Sequence, residues 1–508
     1  MKTPDADFII VGSGPAGVSA AFPLIAAGRR VLMLDAGTDA GSEDESRSAR
    51  VLGRNLESLR ADDGSSPKLQ TPVARGILER FRRESEITGD RFTPVASLAR
   101  GGLSNIWGAQ ISYLDAADIL GWPIDIDPLQ RSYERISQRI GISTNADLTS
   151  EADSGSVLPL GAAAAHVLHR HKAAKPADGS FRLFPAVNAI LSEARPGRAA
   201  CDLRGDCLYG CPSGAIYNSR QDLLALQKSP HFRLLDNVRA ISLASNAGWT
   251  IGTADGSSFS APRIILAAGV LGTAALLADL LPIGERGLRL LNSPTLAIPL
   301  LSPARLLRSA TATHSLAQLG LSLRYGERAS DYVTGAIYEV SSLPTQSFVN
   351  RMPLGRKAGR AAFETIAGSL LVATIYYPGD QSRSYIHREV TGKDMTVRGG
   401  FADGFDIRAK DLKRRLRREW KRLGLVPLPG ASLAEPGVDA HFAGTLPMGA
   451  AGPFGTSVDG ELNLHPGLHV VDGSILPELS SKYITMTIMA NADRIAHRLA
   501  EMEANPAL

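Results

Sequence analysis

The chain has 508 residues, of which 44% are hydrophobic and 21% are charged. This is too long for one simple core and has the composition of an ordinary folded protein, so we expect two large structural units. The 55 basic and 51 acidic residues leave a formal charge of +4, too small an excess to predict a nucleic-acid partner. No apolar run approaches the roughly 20 residues of a membrane span, and the N-terminus lacks the features of a signal peptide. We therefore expect no membrane span and a cytoplasmic location.

The first predicted element is a βαβ unit. Phe8–Val11 is a short apolar run typical of a buried parallel strand, and Val31–Leu34 is the predicted second strand. Between them, Gly12, Gly14 and Gly17 occupy the positions of a G-x-G-x-x-G pattern, and an Ala-rich helix follows. Such glycines allow a tight turn and the close approach of a pyrophosphate, while the helix N-terminus offers free N–H groups. The predicted dinucleotide-binding residues are Gly12, Ser13, Gly14, Pro15, Ala16 and Gly17.

An acidic residue follows the second strand at the spacing that dinucleotide-binding folds use. Asp35 lies 18 residues after Gly17, close to the usual offset of about 20 for a carboxylate that binds ribose hydroxyls. We predict that Asp35 and the adjacent Ala36 contact the cofactor. The pattern alone does not separate FAD from NAD, and a glycine-rich turn that binds nothing is the alternative.

Further along the chain, the predicted elements extend the same sheet and then change type. Residues 37–91 are polar and irregular, which predicts a connection with partly mobile loops. Apolar runs at 233–235 and 263–269 predict more strands of the first sheet. Residues 295–378 are rich in strand patterns and predict an antiparallel sheet in a second domain. Residues 411–423 predict an amphipathic helix with a basic, solvated face.

Four segments, taken in order, resemble the glucose-methanol-choline (GMC) oxidoreductases. They are the glycine pattern extended by LDAG at 34–37, the run RGGLSNIWGA at 100–109, the run AAGVLGT at 267–273, and HFAGT at 441–445 continued by VVDGS at 470–474 and TMTIMA at 485–490. The first three correspond to the flavin cradle of that family, and the fourth carries its catalytic histidine. The similarity touches nearly the whole chain, although the part between the third and fourth segments has little that is diagnostic.

The resemblance implies an α/β fold with two domains. One is a discontinuous Rossmann-like FAD-binding domain, and the other is an α+β substrate-binding domain built on an antiparallel sheet. The predicted FAD-binding domain comprises residues 1–120, 195–285 and 436–508. The predicted substrate-binding domain comprises residues 121–194 and 286–435.

The resemblance also implies how FAD is held. Glycines at 101, 102 and 108 would let backbone amides approach a flat ring system, and the final helix, predicted to begin near Thr485, would offer its N–H groups to the flavin. In some relatives a histidine of a Ser-Thr-His-Trp loop attaches the flavin; Ile106 stands at that place, so we expect non-covalent FAD. The cofactor-binding residues implied beyond the first motif are Arg100, Gly101, Gly102, Ser104, Asn105, Trp107, Gly108, Ala109, Val238, Ala268, Gly269, Thr273, Asp472, Gly473, Thr485 and Met486.

Two residues are candidates for the chemistry. Alcohol oxidation needs a group that accepts the hydroxyl proton, and a histidine suits that task. His441, three residues before Gly444, matches the family's catalytic histidine. At the second position relatives usually carry Asn or His, whereas this chain has Tyr483 preceded by Lys482. A phenol can donate a hydrogen bond but is a poor base near neutral pH. Tyr483 could orient the substrate, shape the pocket or indicate altered chemistry, and a one-residue shift of the alignment would implicate Lys482 instead.

The three cysteines form a short cluster in the sequence. Cys201, Cys207 and Cys211 precede a proline, as in some iron–sulfur motifs, but three thiolates at this spacing do not match the usual ligand set. Their odd number predicts no disulfide framework. We expect no metal site, and a packing role for this loop.

Together, these observations predict an FAD-dependent enzyme that oxidises a CH–OH group by hydride transfer to flavin N5, with His441 as base. Family habit implies a sugar, a glycoside or another alcohol as substrate, and O2, a quinone or another carrier as electron acceptor. Tyr483 leaves open a biosynthetic tailoring enzyme that catalyses desaturation or oxidative cyclisation. A non-catalytic flavin-binding protein is a further alternative.

Overall fold

The structure is a computed structural model that describes most of the chain. The described residues are 4–38, 69, 71–143, 158–174, 180–205, 207–209, 211–245, 248–309, 311, 313–327, 331–340, 349, 354–389 and 394–504. The helices within them are α1 Pro15–Ala26, α2 Pro72–Glu84, α3 Ile126–Ile140, α4 Ala162–Ala173, α5 Ser219–Leu226, α6 Gly269–Leu276, α7 Arg356–Ile366, α8 Phe405–Arg422 and α9 Thr485–Ala504.

The strands within the described residues run from the N-terminus almost to the final helix. In chain order they are β1 Phe8–Val11, β2 Val31–Leu34, β3 Ile87–Asp90, β4 Phe181–Pro185, β5 Phe232–Leu235, β6 Ala240–Ser245, β7 Trp249–Thr253, β8 Ser258–Ala261, β9 Arg263–Leu266, β10 Leu288–Asn292, β11 Thr295–Leu301, β12 Leu319–Arg324, β13 Tyr332–Glu339, β14 Leu370–Tyr376, β15 Ser384–Arg388, β16 Met395–Arg398, β17 Val426–Pro427, β18 Ser432–Leu433, β19 Phe442–Ala443 and β20 Leu468–Val470.

A parallel five-stranded sheet forms the cofactor side of the molecule, in the order β20-β9-β1-β2-β5. Its central strands are fully buried because helices cover the sheet, and α1 packs directly against α9. The strands come from distant parts of the chain, since β1 and β2 lie near the start and β20 near the end. The predicted Rossmann-like sheet is therefore confirmed, including the strands expected at 233–235 and 263–269, the second of which ends at Leu266.

A second five-stranded sheet, in the order β19-β10-β15-β16-β3, joins strands from both predicted domains. The prediction for residues 37–91 was wrong at its C-terminal end, because α2 and β3 lie there. Thr71 caps α2 by accepting a hydrogen bond from the Ala74 N–H, and Pro72 occupies the first turn, so the helix has start signals that the polar composition concealed. Residues 39–68 lie outside the described residues. The domain boundaries stay predictions.

The third sheet is antiparallel and is the one expected from the strand-rich middle of the chain. Its order is β17-β11-β14-β13-β12-β4, with β18 also paired to β11. One face is packed under α4 and α8, where Leu412, Leu416 and Trp420 of α8 are buried. The apolar side of the predicted basic helix is thereby confirmed. The opposite face of the sheet lines part of a cavity that it shares with the cofactor side of the molecule.

The remaining described elements support these sheets. Strands β6, β7 and β8 form a small antiparallel meander beside the parallel sheet. Helix α3 packs against α9, which places the long connection after the second motif alongside the final helix. Among the described residues, none of the helices is both long and apolar enough to cross a membrane.

Candidate functional site

The glycine-rich turn after β1 is shaped for the close approach of a ligand. Gly12 has φ +102°, and a Cβ there would lie 2.5 Å from the carbonyl oxygen of Ala267 on the neighbouring strand connection. A Cβ at Gly17 would overlap the Gly12 carbonyl oxygen, so this glycine lets α1 sit against the turn. At Gly14, by contrast, nothing lies within 4 Å of the Cβ position. The start of α1 therefore faces open space, as a pyrophosphate requires.

Asp35 closes the turn from the end of β2. Its carboxylate accepts hydrogen bonds from the Ser13 N–H at 2.8 Å and the Gly37 N–H at 2.7 Å. Burial raises the pKa of Asp35, while these donors and the nearby Arg100 oppose the rise. The carboxylate is thus fixed at the wall of the cavity, where the sequence places a ribose-binding acid.

The second motif lies directly on the first. Gly101 donates its N–H to Ser13 Oγ at 2.8 Å, and a Cβ at Gly102 would lie 3.3 Å from the Gly14 Cα. Ser104 Oγ donates to the Gly101 carbonyl oxygen at 2.6 Å, which tightens a short 3-10 turn. The two glycine-rich segments, about 90 residues apart in sequence, therefore form one continuous backbone cradle.

A buried carboxylate joins the third and fourth motifs. Thr273 of α6 donates its hydroxyl to Asp472 Oδ2 at 2.5 Å, and the Ser474 N–H donates to Asp472 Oδ1 at 2.9 Å. Burial raises the pKa of Asp472, and these hydrogen bonds oppose the rise. This contact fixes the loop after β20 against the start of α6, with Gly473 at the cavity wall.

A cavity of about 1080 Å³ connects these motifs with His441. It exceeds the volume of most small-molecule sites, as a dinucleotide together with a substrate demands. Predicted site residues that line it are Gly12, Ser13, Gly14, Pro15, Ala16, Asp35, Ala36, Gly102, Ser104, Trp107, Gly108, Ala109, Val238, Ala268, Gly269, His441, Asp472, Gly473, Tyr483 and Thr485. Predicted residues absent from its lining are Gly17, Arg100, Gly101, Asn105, Thr273 and Met486. The glycine cradle and the open helix start fit FAD.

His441 lines this cavity immediately before β19, the strand that pairs with β10. Its Nδ1 is 3.7 Å from Asp439 Oδ2, and the Asp439 side chain is only 2% exposed. The same carboxylate oxygen accepts the Ser293 N–H at 3.2 Å and the His441 N–H at 3.3 Å. Asp439 is therefore held by backbone donors on the Nδ1 side of the imidazole.

Two tyrosines complete this corner of the site. The Tyr376 ring centroid lies 5.4 Å from that of His441 and 5.2 Å from that of Tyr483, and the His441 and Tyr483 rings are 5.9 Å apart. Burial raises the pKa of Tyr376 well above its ordinary value, and the neighbouring Tyr338 and Asp439 act in the same direction. The phenol therefore stays protonated at neutral pH and can serve only as a hydrogen-bond donor or acceptor.

Comparison with known protein families agrees with this geometry. A family model described as FAD dependent oxidoreductase matches residues 7–311, more than half of the chain. A second model, described as GMC oxidoreductase, matches residues 395–492, which include His441 and Tyr483. The chain is a GMC-type FAD-dependent oxidoreductase. No curated protein matches it.

In this oxidoreductase, Lys482 and Tyr483 face different surroundings. Tyr483 lines the cavity, whereas Lys482 is absent from its lining. The Lys482 ammonium lies 2.7 Å from Asp118 Oδ2 and 3.2 Å from the Tyr113 carbonyl oxygen. Burial raises the pKa of Asp118, and the Lys482 charge opposes that rise. Lys482 therefore ties the start of α9 to the chain before α3, and the geometry favours the alignment that puts Tyr483 in the site.

The sequence prediction missed Asp439, Tyr338 and Tyr376. Asp439 had a usable signal, because an acid two residues before a proposed catalytic histidine can reach its ring. Tyr376 lies on β14, whose exposure alternates along the strand, whereas Tyr338 lies on β13, which is buried over most of its length. Alternation identifies two faces but does not reveal which of them meets the flavin domain, so these residues needed the tertiary structure.

The cysteine loop packs beside the cavity. Cys201, Cys207 and Cys211 are unbridged and partly buried. The Cys207 N–H donates to Ser315 Oγ at 3.0 Å, and the Ser315 N–H donates to Cys207 Sγ at 3.3 Å. Burial raises the pKa of the Cys207 thiol to about 11. A protonated, buried thiol in reciprocal contact with a neighbouring loop suits the packing role expected for this segment.

Proposed function

We propose that this GMC-type oxidoreductase oxidises the CH–OH group of an alcohol to a carbonyl group, with His441 as the base. The observation that carries the proposal is His441 on the wall of the same cavity as the dinucleotide cradle, with a buried carboxylate beside its Nδ1. When bound, FAD supplies the hydride acceptor at its N5 atom. The carbinol carbon loses a hydride and the hydroxyl oxygen loses a proton, so the product is an aldehyde or a ketone.

His441 and Asp439 have different roles in removing the proton from the alcohol. Because Asp439 Oδ2 lies on the Nδ1 side of the ring, it favours the tautomer that carries its proton on Nδ1. Nε2 is then the acceptor for the hydroxyl proton of the alcohol. The imidazolium formed in this step gains from the buried negative charge beside it, whose two backbone donors keep the carboxylate in position.

Tyr483 takes the second position of the site. Its ring meets those of His441 and Tyr376 edge to face, and a phenol can donate a hydrogen bond to the substrate oxygen. We assign to Tyr483 the role of orienting the alcohol, a role in which the phenol transfers no proton. His441 is then the base of the reaction. Tyr483 affects the geometry of the bound alcohol but not the removal of its proton.

The electron acceptor and the cellular location complete the proposal. We infer that O2, a quinone or another small carrier reoxidises the flavin, and that the enzyme acts in the cytoplasm. Admitting air to the reduced enzyme separates an oxidase from a dehydrogenase, and cell fractionation with an antibody to the protein checks the location.

Anaerobic flavin reduction tests the activity. The purified enzyme with FAD is mixed with alcohols, and absorbance is followed at the oxidised-flavin bands near roughly 370 and 450 nm. Bleaching by an alcohol in the wild type, with FAD retained but bleaching lost in His441→Ala, is the expected result. If alcohols bleach wild type and His441→Ala alike, His441 is not the base. A yellow protein that no alcohol bleaches would instead favour the tailoring or non-catalytic alternatives.

A further inference from the structure

Two polar side chains meet where the second glycine-rich motif approaches the antiparallel sheet. Gln110 directly follows that motif and lines the cavity. Tyr338 lies on β13 and lines the same cavity. The Tyr338 hydroxyl is 3.9 Å from the position that a Cβ would take on Gly108, two residues before Gln110. Gln110 and Tyr338 together are called the amide–phenol corner below.

Packing from separate segments of the chain fixes this corner. Gln110 forms an isolated β-bridge with Asn188. The Asn188 side chain donates an N–H to the Ala317 carbonyl oxygen at 3.0 Å, and Ala317 packs with Tyr338 in one small apolar cluster. The amide–phenol corner is therefore positioned by backbone pairing and by side-chain packing, which leaves its two polar groups available to a ligand.

Both polar groups of the corner are buried without using their full hydrogen-bonding capacity. Gln110 is 7% exposed, and its Oε1 has no hydrogen-bond partner among the described residues. Burial alone raises the pKa of Tyr338 to about 12, and no hydrogen bond or charge within the described part of the chain contributes to that rise. Buried polar groups of folded proteins are nearly always paired. A ligand that fills the cavity is therefore expected to supply the partner.

The corner lies on the same wall as the proposed base. Tyr338 and Tyr376 both line the cavity from the antiparallel sheet, and the Tyr376 ring contacts that of His441. Tyr338 is close enough to Tyr376 to contribute to the raised pKa of that phenol. The dinucleotide cradle, by contrast, is formed by main-chain atoms and the Asp35 carboxylate. A molecule whose hydroxyl meets His441 can therefore extend along this wall to the corner.

The chemistry of the corner indicates which group it binds. An amide offers a donor and an acceptor, and a protonated phenol does the same. A hydroxyl group is also both a donor and an acceptor, so one hydroxyl can bond to Gln110 and Tyr338 together. Neither side chain is charged, so a carboxylate or an ammonium group placed there would be buried without a counter-charge.

We propose that Gln110 and Tyr338 bind a second hydroxyl group of the substrate, so that the enzyme prefers diols and other polyhydroxy compounds to alcohols with a single hydroxyl. This rests on the proposed alcohol oxidation. One hydroxyl lies between His441 and Tyr483 and is oxidised, while the second bonds to the corner and is not. The residues that select the substrate are thus distinct from the residue that removes its proton.

A series of linear diols with a hydroxyl at each end tests the preference and measures the distance that it spans. The series runs from propanediol to decanediol, and each diol is paired with the primary alcohol of the same chain length. At the lengths that reach from His441 to the corner, anaerobic flavin reduction by the holoenzyme should favour the diol about tenfold, compared as rate over half-saturating concentration. Shorter diols should gain only from their second reactive end. Equal rates at every length overturn the proposal while leaving alcohol oxidation intact.

Two variants assign the preference to the corner. Gln110→Met removes the amide but keeps an unbranched side chain, and the diol should lose about tenfold more than its paired alcohol, mainly through a higher half-saturating concentration. Tyr338→Phe, which removes only a hydroxyl, should act in the same direction. Gln138→Met is the matched control, because Gln138 is exposed on α3 and does not line the cavity. Equal losses for diol and alcohol in both corner variants would mean a structural role and overturn the proposal.

Binding measurements separate this proposal from alcohol oxidation. If no alcohol bleaches the flavin, the oxidation is overturned, and the same diols serve as ligands for calorimetry with the oxidised holoenzyme. Tighter binding of a diol than of its paired alcohol in wild type, but not in Gln110→Met, then supports the corner, and equal binding overturns it. An altered flavin spectrum in Gln110→Met with the diol preference intact would assign the amide to the cofactor and would also overturn the proposal.

Discussion

The two ends of the cavity differ in whether backbone or side-chain atoms form the wall. At the dinucleotide end the wall is backbone: glycines at 12, 14 and 102 bring main-chain atoms to the surface, and one carboxylate, Asp35, closes the turn. At the end that contains His441 the wall consists of side chains that converge from separate strands and loops, among them Tyr376. A backbone site is tied to local sequence, whereas a side-chain site depends on how distant segments pack. The two ends should therefore respond differently to substitution.

The largest expected effect is at the dinucleotide end. Gly12→Ala puts a Cβ 2.5 Å from the Ala267 carbonyl oxygen at a residue with φ +102°, so the turn must move. We expect the purified variant to lose bound FAD or to fail to fold, as judged by flavin absorbance and circular dichroism. Gly284→Ala is the control, because nothing lies within 4 Å of its Cβ position. A Gly12→Ala protein with a full complement of FAD would show that backbone approach is not what the turn provides.

The next largest effect is expected at the His441 end, on Asp439. Asp439→Asn removes the charge beside His441 Nδ1 while keeping the shape, and we expect flavin reduction to slow about 100-fold with FAD retained. Stopped-flow absorbance gives the rate, and the flavin-to-protein ratio gives the occupancy. Asp236→Asn is a matched control, since Asp236 is 45% exposed beside Arg100 and does not line the cavity. A rate within about twofold of wild type would remove Asp439 from the mechanism.

A smaller effect is expected at Tyr483. Tyr483→Phe keeps the ring contacts with Tyr376 and His441 but removes the hydroxyl, so flavin reduction should slow about tenfold. Because the phenol is assigned to orientation and not to proton transfer, the pH dependence of the rate should keep its shape. A changed pH profile would mean that Tyr483 takes part in proton transfer.

The smallest kinetic effect is expected at Lys482. Lys482→Met leaves Asp118 buried without its partner at 2.7 Å, and breaking such a pair costs about 3 kcal/mol of folding free energy. Thermal unfolding should show the loss, while flavin reduction below the new unfolding temperature should stay within about twofold of wild type. A large kinetic loss without a loss of stability would restore Lys482 as a site residue.

The contrast between the two ends also explains what the sequence could predict. The parallel sheet, the glycine turn and Asp35 follow from short segments with fixed spacing, and the structure assembles them as expected. The start of α9 at Thr485 likewise agrees with the start predicted for the final helix. These features depend on local backbone geometry, which a single stretch of sequence carries.

Other features depended on tertiary packing. The polar composition of residues 37–91 hid α2 and β3, because β3 is stabilised by pairing with β16, which lies in a distant part of the chain. Tyr376 and Pro299 face the cavity only because α4 and α8 cover the other side of their sheet. The cavity face of an alternating strand cannot be chosen without knowing which neighbours pack on it.

The measurement closest to the central claim is the anaerobic reduction of bound FAD by a panel of alcohols, made on wild type and on His441→Ala in parallel. We expect wild type to bleach, and the variant to keep its FAD and bleach about 10²- to 10⁴-fold more slowly, as the loss of a general base predicts. Equal bleaching of both proteins would contradict the account, because the base would then lie elsewhere in the cavity.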